Sequence, residues 1–364
     1  MKRTLLPIAL LMLTISGFSQ QDMPITDESE PPVRSPKPSS RNKFPPAYNA
    51  PNKIAVRSSF SLNTNFSFLY WMPMEDNLEP GVMIDTNSAT LTKGEIIDFD
   101  FEYKPGFNIG ISYGLERDHW DFSANYTRLR SEMKTTPNIT AGNHISPIIL
   151  MPQIAGTNNY NSVTEKWHLT LDFIDAGLSR SYFNGTQLTF RYFLGARGAW
   201  IYQNLNCQFG SVGNSVRGIS TSNGVVDSTL KSNSWAVGPR IGLNGNWMVG
   251  NGLRFYGNGG ADLLFTRYDL NREESSTLLN FTYKMNEKQI NTLRTHLDLE
   301  LGLGWGSHFC QNKWYLDLSA GYGFQVFFDQ NMFRTFYNSN SFIGETPHGN
   351  LYIQGLTVKA ELDF

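Results

Sequence analysis

The feature that most constrains the fold of this chain is a two-residue alternation of apolar and polar side chains, which starts near Ser58 and continues to Phe364. In the first run, Phe66, Phe68 and Tyr70 share one parity and alternate with polar residues. This period is that of a β-strand between an apolar and a polar environment. Nine further runs follow. The longest apolar stretches stay well below the ~18 residues of a membrane-spanning helix, so the sequence predicts an all-β protein.

The connections between the runs alternate strictly in length. Starting with a long gap, long and short gaps alternate along the chain: 72–95, 116–119, 131–164, 180–186, 204–233, 249–252, 270–291, 308–313 and 330–349. A soluble β-sandwich also has alternating strands, but this order of connections is typical of an outer-membrane barrel, with short periplasmic turns and long extracellular loops. We therefore predict a transmembrane antiparallel up-and-down β-barrel, with Val249-Gly250-Asn251-Gly252 as a tight turn.

The number of strands is predicted as about ten, with a range of 10 to 14. Two long gaps contain β-compatible residues, Ile148 to Met151 and Val225-Val226, and each could hide another hairpin. The run from Ile148 to Met151 has a second interpretation, in which the 131–164 loop enters the lumen as a constriction. The sequence leaves both open.

The N-terminal part of the chain has a different composition. Residues 1–19 have the basic start, the apolar stretch and the small residues of a cleaved signal peptide. Residues 20–55 are rich in proline and polar residues, which predicts a flexible periplasmic segment rather than a packed plug. The barrel is predicted over residues 56–364, in the outer membrane of a Gram-negative cell.

The tryptophans are placed as an aromatic girdle would require, because all 8 lie near an end of a run. Trp71 has the polar parity of its strand. The other seven share the apolar parity and are predicted to face lipid: Trp120, Trp167, Trp200, Trp235, Trp247, Trp305 and Trp314.

The polar parity carries charges of both signs, which we predict to line the lumen as candidate selectivity residues. They are Asp98, Asp100, Glu102, Asp121, Asp172, Arg191, Arg197, Arg240, Arg254, Asp262, Arg294, Asp298, Glu300 and Asp317, with Lys359, Glu361 and Asp363 near the C-terminus. If these charges face each other across water, they form a porin-like pore for small solutes or ions, with a weak cation preference because carboxylates outnumber cations. If they pair across a narrow barrel, they form a closed structural or adhesin-type surface barrel without a through-pore.

The last strand predicts an assembly signal. Tyr352, Leu356, Val358, Leu362 and the terminal Phe364 share one face. An amphipathic strand that ends in an aromatic residue suits strand addition by the outer-membrane barrel assembly machinery. That machinery and outer-membrane lipid are the expected partners, a homo-oligomer is left open, and the net charge of −2 does not favour nucleic acid.

Several segments resemble the Legionella major outer membrane protein family, which also includes chlamydial major-outer-membrane-protein-like proteins. They are Lys166 to Asp175, Phe190 to Trp200, Trp235 to Trp247, Gly321 to Gln330 and Leu351 to Phe364. The resemblance implies an outer-membrane β-barrel with a porin role and supplies no catalytic residues. With two cysteines, Cys207 and Cys310, the chain departs from the cysteine-rich, cross-linked members. The topology places these cysteines at opposite ends of the barrel, so we expect no bridge between them.

We predict no catalytic site, no metal site and no cofactor. Gly110-Ile111-Ser112-Tyr113-Gly114 matches a hydrolase motif, but it lies inside an uninterrupted strand pattern rather than a strand-turn-helix. His168 and His296 have the polar parity near strand ends, where a protease-like site or a metal would be compatible. Hydrogen-bonded lumen histidines are the commoner case, and we expect the protein not to be an enzyme.

Overall fold

A computed structural model describes residues 61–85, 93–115, 120–139, 143–150, 160–211, 215–216, 219–220, 224–277, 280–311, 313–333, 335–336, 344–345 and 348–364. The predicted signal peptide and proline-rich segment lie outside these residues. Among the described residues, no helix has the length and apolar character needed to cross a membrane.

Ten antiparallel strands form a closed barrel. They are β1 (Ser61–Glu75), β2 (Lys104–Gly114), β3 (Asp121–Thr135), β4 (Ser162–Asn184), β5 (Leu188–Ser211), β6 (Gly224–Gly250), β7 (Leu253–Ser276), β8 (Phe281–Phe309), β9 (Trp314–Asn331) and β10 (Gly349–Asp363). Each strand pairs with the next, and β1 pairs with β10 from Asn63↔Asp363 to Glu75↔Leu351. The predicted up-and-down barrel of ten strands is confirmed.

Short turns join the strands at one end, called here the short-turn end. The predicted turn between β6 and β7 has Gly250, Asn251 and Gly252 at φ 130, 53 and 81°. These positive values are readily adopted by glycine and tolerated by asparagine, which explains why this sequence turns here.

The long-loop end carries additional short strands. Gly81–Asp85, Lys93–Ile96 and Asn143–Pro147 form a three-stranded sheet. Two-residue pairs also form between Ser215–Val216 and Ile219–Ser220, and between Thr335–Phe336 and Gly344–Glu345. None of these joins the barrel.

Neither of the two segments considered as hidden hairpins adds a hairpin to the barrel among the described residues. Val225 and Val226 belong to β6, which starts earlier than its sequence pattern predicted. Ile149 and Leu150 lie in the loop after Asn143–Pro147 and are buried in the barrel's apolar core. This placement favours the interpretation in which the loop enters the barrel; Met151 lies outside the described residues, and a constriction stays a prediction.

The barrel wall is much longer than a membrane requires on one side. Strands β4 to β8 have 23, 24, 27, 24 and 29 residues, whereas ~9–11 residues cross a bilayer. The surplus lies toward the long-loop end.

The character of the two faces reverses where the strands leave the apolar band, as β5 shows. Its outward residues are apolar from Leu188 to Trp200 and polar beyond, at Asn204, Asn206 and Gln208. Its inward residues change the opposite way, from Arg191 and Arg197 to Ile201, Leu205 and Phe209. The direction of each side chain keeps its period of two; what changes is the composition, because lipid gives way to water outside and water gives way to a packed core inside.

Candidate functional site

The barrel interior contains ten of the predicted lumen charges. They are Asp121, Arg191, Arg197, Arg240, Arg254, Asp262, Arg294, Asp298, Glu300 and Asp317. Lys359, Glu361 and Asp363 also face inward. Their selectivity role stays a prediction.

Four of the predicted lumen residues lie elsewhere. Asp98, Asp100 and Glu102 precede β2, which begins at Lys104, and they are exposed. Asp172 faces outward on β4, where it accepts a hydrogen bond of 2.6 Å from the Tyr126 hydroxyl and lies 3.6 Å from Arg128 Nε. The prediction was wrong here because it assumed that the polar parity always faces inward, which fails beyond the apolar band.

Asp175 is one of the interior carboxylates that this assumption missed, and it lies within the charged network. It lies on the inward face of β4 and binds Arg197 through two hydrogen bonds, of 2.6 Å to Nε and 2.8 Å to Nη2. Its neighbour Ile174 and nearby Leu178 are exposed on the outward face. Their parity was the signal in the sequence that could have identified Asp175.

Arg197 is the centre of a buried network. Its Nη1 lies 3.1 Å from Asp262 Oδ2, which also lies 2.5 Å from His296 Nδ1. Arg240 Nη1 lies 2.8 Å from the same Asp262 oxygen and 2.7 Å from Asp298. Two guanidinium groups and one imidazole thus share Asp262 as acceptor, which compensates for its burial.

This network meets the distance condition for a metal site, because Asp262, His296 and Asp298 each offer a ligand atom within 4.8 Å of the others. The carboxylate oxygens, however, already accept from Arg197 and Arg240. Two adjacent fixed positive charges oppose the entry of a divalent cation. The donor set therefore fits an ion-pair network better than a metal centre.

The other inward cations also have carboxylate partners. Arg191 lies 3.5 Å from Asp121, and Arg294 lies 3.3 Å from Asp329. Arg254 pairs with Asp317 through two hydrogen bonds, and Lys359 pairs with Glu361. All six inward cations named from the sequence are therefore ion-paired, which lowers the field that they exert on the interior.

Three adjoining polar cavities of about 250, 220 and 200 Å³ lie in the half of the barrel toward the short-turn end. Arg191 and Asn244 line the first two, and Arg240 and Asn244 line the last two. The interior of the apolar band is therefore polar and partly open.

Above these cavities, toward the long-loop end, the interior is filled by apolar side chains. We call this group the outer apolar core: Leu69, Leu129, Met133, Trp167, Leu169, Leu171, Phe173, Ile201, Leu205, Phe209, Leu230, Leu264, Phe327 and Ile353, with Ile149 and Leu150 from the loop. Phe173 and Phe327 stack on each other at 5.4 Å between ring centroids. The Arg197 guanidinium lies 4.9 Å from the Phe173 ring and His296 lies 4.0 Å from the Phe327 ring. The aromatic pair thus covers the charged network directly.

Of the carboxyl groups buried within this upper region, outside the apolar band, Glu274 is paired with Arg272, whereas Glu75 and Glu165 have raised pKa values. Burial raises the pKa of Glu75 to about 8, although Gln203 Nε2 donates a 3.0 Å hydrogen bond to it. Burial also raises the pKa of Glu165 well above its ordinary value. Glu75 is therefore mostly protonated in the folded protein at neutral pH.

The two cysteines are free thiols, as expected. Cys207 is buried beside Glu165 in the upper region, and burial is the main cause that raises the pKa of its thiol. Cys310 is exposed in the turn between β8 and β9, at the opposite end of the barrel.

Most of the predicted girdle tryptophans lie on the outer surface. Trp200 and Trp235 face each other in the register of β5 and β6, toward the long-loop end of the apolar band. Trp247, Trp305 and Trp314 are exposed toward the short-turn end. Trp120 is half-buried beside Tyr192.

Trp167 was predicted to face lipid in the girdle, but it lies inside the barrel. Its ring is fully buried in the outer apolar core, with Phe99 and Phe101 edge-on at 6.3 and 6.0 Å. Trp71 is also inside and donates a 3.2 Å hydrogen bond to Thr357 Oγ1. Apolar parity marks a lipid-facing residue only within the apolar band.

The hydrolase motif, His168 and the assembly-signal residues lie on barrel strands, except Phe364, which directly follows β10. Ser112 lies within β2 and faces the polar cavities, so the hydrolase motif has the strand context expected from its pattern. His168 faces outward on β4, 3.2 Å from Thr170 Oγ1. The assembly-signal residues Leu356, Val358 and Phe364 are exposed on the outer face, with Phe364 against Trp314 at 5.3 Å.

Comparison with known proteins identifies the family. The family model described as Legionella pneumophila major outer membrane protein precursor matches residues 57–364, a range that includes all ten barrel strands. The chain belongs to this family. As a member of the Legionella major outer membrane protein family, it is an outer-membrane β-barrel, with its long loops extracellular and its short turns periplasmic.

Solved outer-membrane barrels resemble the chain at low identity. The outer membrane protease OmpT of Escherichia coli has 11% identity and a TM-score of 0.39, over 84% of this chain and 98% of that one. Ail of Yersinia pestis, solved with the heparin analogue sucrose octasulfate, has 9% identity and a TM-score of 0.23, over 84% and 100%. A Pseudomonas aeruginosa FadL homologue has 7% identity and a TM-score of 0.25, over 84% and 89%. No curated protein matches the sequence.

Proposed function

We propose that this family member is a closed outer-membrane barrel with a structural or adhesive function at the cell surface. The observation that carries this proposal is the outer apolar core, which fills the extracellular half of the interior and includes the stacked Phe173 and Phe327. Buried apolar side chains in van der Waals contact leave no water-filled path for an ion at that level.

The charged network below supports the same function. Each of the six inward cations is paired with a carboxylate, so the charges stabilise the barrel interior instead of lining an open channel. His296 is fully buried beneath Phe327, which makes a substrate-accessible catalytic role for it unfavourable. A non-enzymatic protein is part of the proposal.

The weakly cation-selective pore expected from the sequence is the second candidate. The polar cavities in the periplasmic half favour it, because they would form its inner vestibule. It requires the outer apolar core to move aside as a unit.

Single-channel recording in planar bilayers separates the two candidates. We expect folded wild-type protein to give no reproducible conductance steps, because the apolar core excludes ions. The double variant F173S/F327S removes the aromatic pair that covers the charged network, and it should give small, brief conductance steps. The matched control is F193S, whose ring lines the cavities below the core and should leave the recording silent.

Reproducible, ion-selective steps from folded wild-type protein would contradict the closed barrel. The porin would then be the better description, and reversal potentials under a salt gradient would report its selectivity directly.

A further inference from the structure

The outer wall of the barrel carries a cluster of cations just above the apolar band on β3 and β4. We call it the basic wall patch and define it as Arg130, Lys134 and Lys166, all exposed and facing outward. In the register of these strands, Lys134 lies directly opposite Lys166. Like charges in directly opposed positions destabilise a sheet.

The three cations of the patch have no ion-pair partner among the described residues. In the described part of the chain, the carboxylate within ion-pair distance of a cation of these strands is Asp172, which binds Arg128. Glu132 is the one carboxylate on this outward face between Arg130 and Lys134, and His168 lies opposite it. Two further exposed carboxylates, Asp100 and Glu102, lie alongside β3, because their backbone N–H groups donate to Thr135 Oγ1 and Met133 Sδ, and Glu102 is paired with Lys104. The patch is therefore a local cluster of cations without ion-pair partners in the described chain, within a wall of mixed charge.

The opposite wall has a different charge pattern. Across β7 and β8, Glu273 lies opposite Lys284 and Asp269 lies opposite Lys288. Lys284 Nζ is 2.7 Å from Glu273 Oε1. Opposed charges there have opposite signs, so the like-charge pair on β3 and β4 is a local feature and not a general property of the extracellular wall.

The height of the patch indicates its occupant. Asp172 lies opposite Trp200 at the boundary of the apolar band. Toward the extracellular end of β4, Thr170 lies two residues from Asp172 and is opposite Arg130, and Lys166 lies six residues from Asp172 and is opposite Lys134. At ~3.3 Å per residue and a tilt of ~45°, the patch spans roughly 5 to 14 Å above the boundary. A phospholipid headgroup layer is only ~5–8 Å thick, whereas a phosphorylated sugar headgroup reaches further.

The wall below the patch is apolar and exposed to lipid. Tyr126 and Ile174 are opposed in the register just beneath Arg128 and Asp172, and Ile174 is 46% exposed. A ligand that contacts both the patch and this wall must have acyl chains below and anionic groups above. Charge complementarity and this continuity select a membrane lipid over a soluble polyanion.

We propose that the basic wall patch binds the phosphate groups of a phosphorylated glycolipid in the outer leaflet. Lys134 and Lys166 bind one phosphate between them, which relieves their mutual repulsion, and Arg130 binds a second phosphate nearer the membrane. The bound lipid holds its acyl chains against the wall at Tyr126 and Ile174.

The test uses the full chain folded in nonionic detergent and measures binding of purified lipopolysaccharide by native mass spectrometry and by titration. K134Q/K166Q should weaken binding on the order of 30-fold. The matched control K284Q/K288Q, on the opposite wall, should change it by less than about twofold. Enzymatically dephosphorylated lipopolysaccharide should bind wild-type protein as weakly as native lipopolysaccharide binds K134Q/K166Q, and added salt should weaken wild-type binding.

Equal affinities of the two double variants would overturn the proposal, as would equal binding of the dephosphorylated lipid. Tighter binding of soluble heparin than of lipopolysaccharide at the patch would assign it to a soluble polyanion and also overturn it. The salt and dephosphorylation experiments use wild-type protein, so they decide the question even if K134Q/K166Q fails to fold. Both are independent of whether the barrel conducts.

Discussion

Glu75 ends β1 with its carboxyl group buried in the extracellular half of the barrel, beside Gln203. Loss of hydration is the largest cause that raises its pKa to about 8 from the ordinary 4.5, and the neighbouring Asp76 adds to it. In the unfolded chain the group returns to the ordinary value. Between these two values the folded protein therefore holds a proton that the unfolded chain has lost.

The sign of the pH effect follows from this difference. The contribution of Glu75 to stability is fully present below about pH 4.5 and is lost as the pH rises through about 8. We predict that E75Q, which keeps the shape and the hydrogen bond from Gln203, raises the free energy of unfolding at pH 9 by a few kcal/mol, with ~5 as the upper bound. It should have little effect at pH ~4.

Urea titrations at both pH values, in detergent or lipid vesicles, measure this effect. E132Q is the matched control, because Glu132 is exposed on the outer wall. If the difference in the free energy of unfolding between E75Q and wild type is the same at both pH values, Glu75 is not buried as described.

Strand β5 shows how one element serves two environments. Leu205 faces inward and is fully buried in the outer apolar core, while its neighbour Asn206 faces outward into water and accepts a 2.6 Å hydrogen bond from Thr229 Oγ1. Ten residues earlier on the same strand, Gly195 lines a polar cavity and Leu194 is exposed to lipid. The strand thus continues without a break while the solvents on its two sides change.

We predict opposite sensitivities for neighbouring positions on this strand. L205A should lower the free energy of unfolding by roughly 2–5 kcal/mol, because it leaves a cavity in a packed core. N206A should cost no more than about 1 kcal/mol, because water replaces the lost hydrogen bond. Denaturant titration of the two variants measures both values, and similar losses at the two positions would contradict an apolar interior in the extracellular half.

The barrel as a whole depends on its closure, in which β1 pairs with β10 from Asn63 to Glu75. A closed ladder satisfies every backbone donor and acceptor in lipid, so the barrel opens cooperatively or not at all. We predict heat-modifiable mobility: unboiled and boiled samples should run differently on a detergent gel. Identical mobility together with a helical far-ultraviolet spectrum would be incompatible with the barrel.

The local pattern of the chain was sufficient for the existence of the strands, their order and the ends at which they turn, whereas it left their number between 10 and 14. Strand period and turn composition are properties of neighbouring residues, so the short turn at Asn251 and the inward charges Arg191 and Arg240 followed from them. Inside the apolar band, one parity faces lipid and the other faces the lumen, which made those positions predictable.

Beyond the band, the same pattern is compatible with two arrangements. An apolar side chain is stabilised equally well by lipid or by a protein core, so the alternation around Trp167 and Asp172 does not say which parity faces inward. The packing of distant strands and of the loop at Ile149 decided it, by enclosing Trp167 and leaving Asp172 on the wall. The stacking of Phe173 on Phe327 likewise joins residues that are far apart in the chain and meet only because the barrel brings β4 and β9 together.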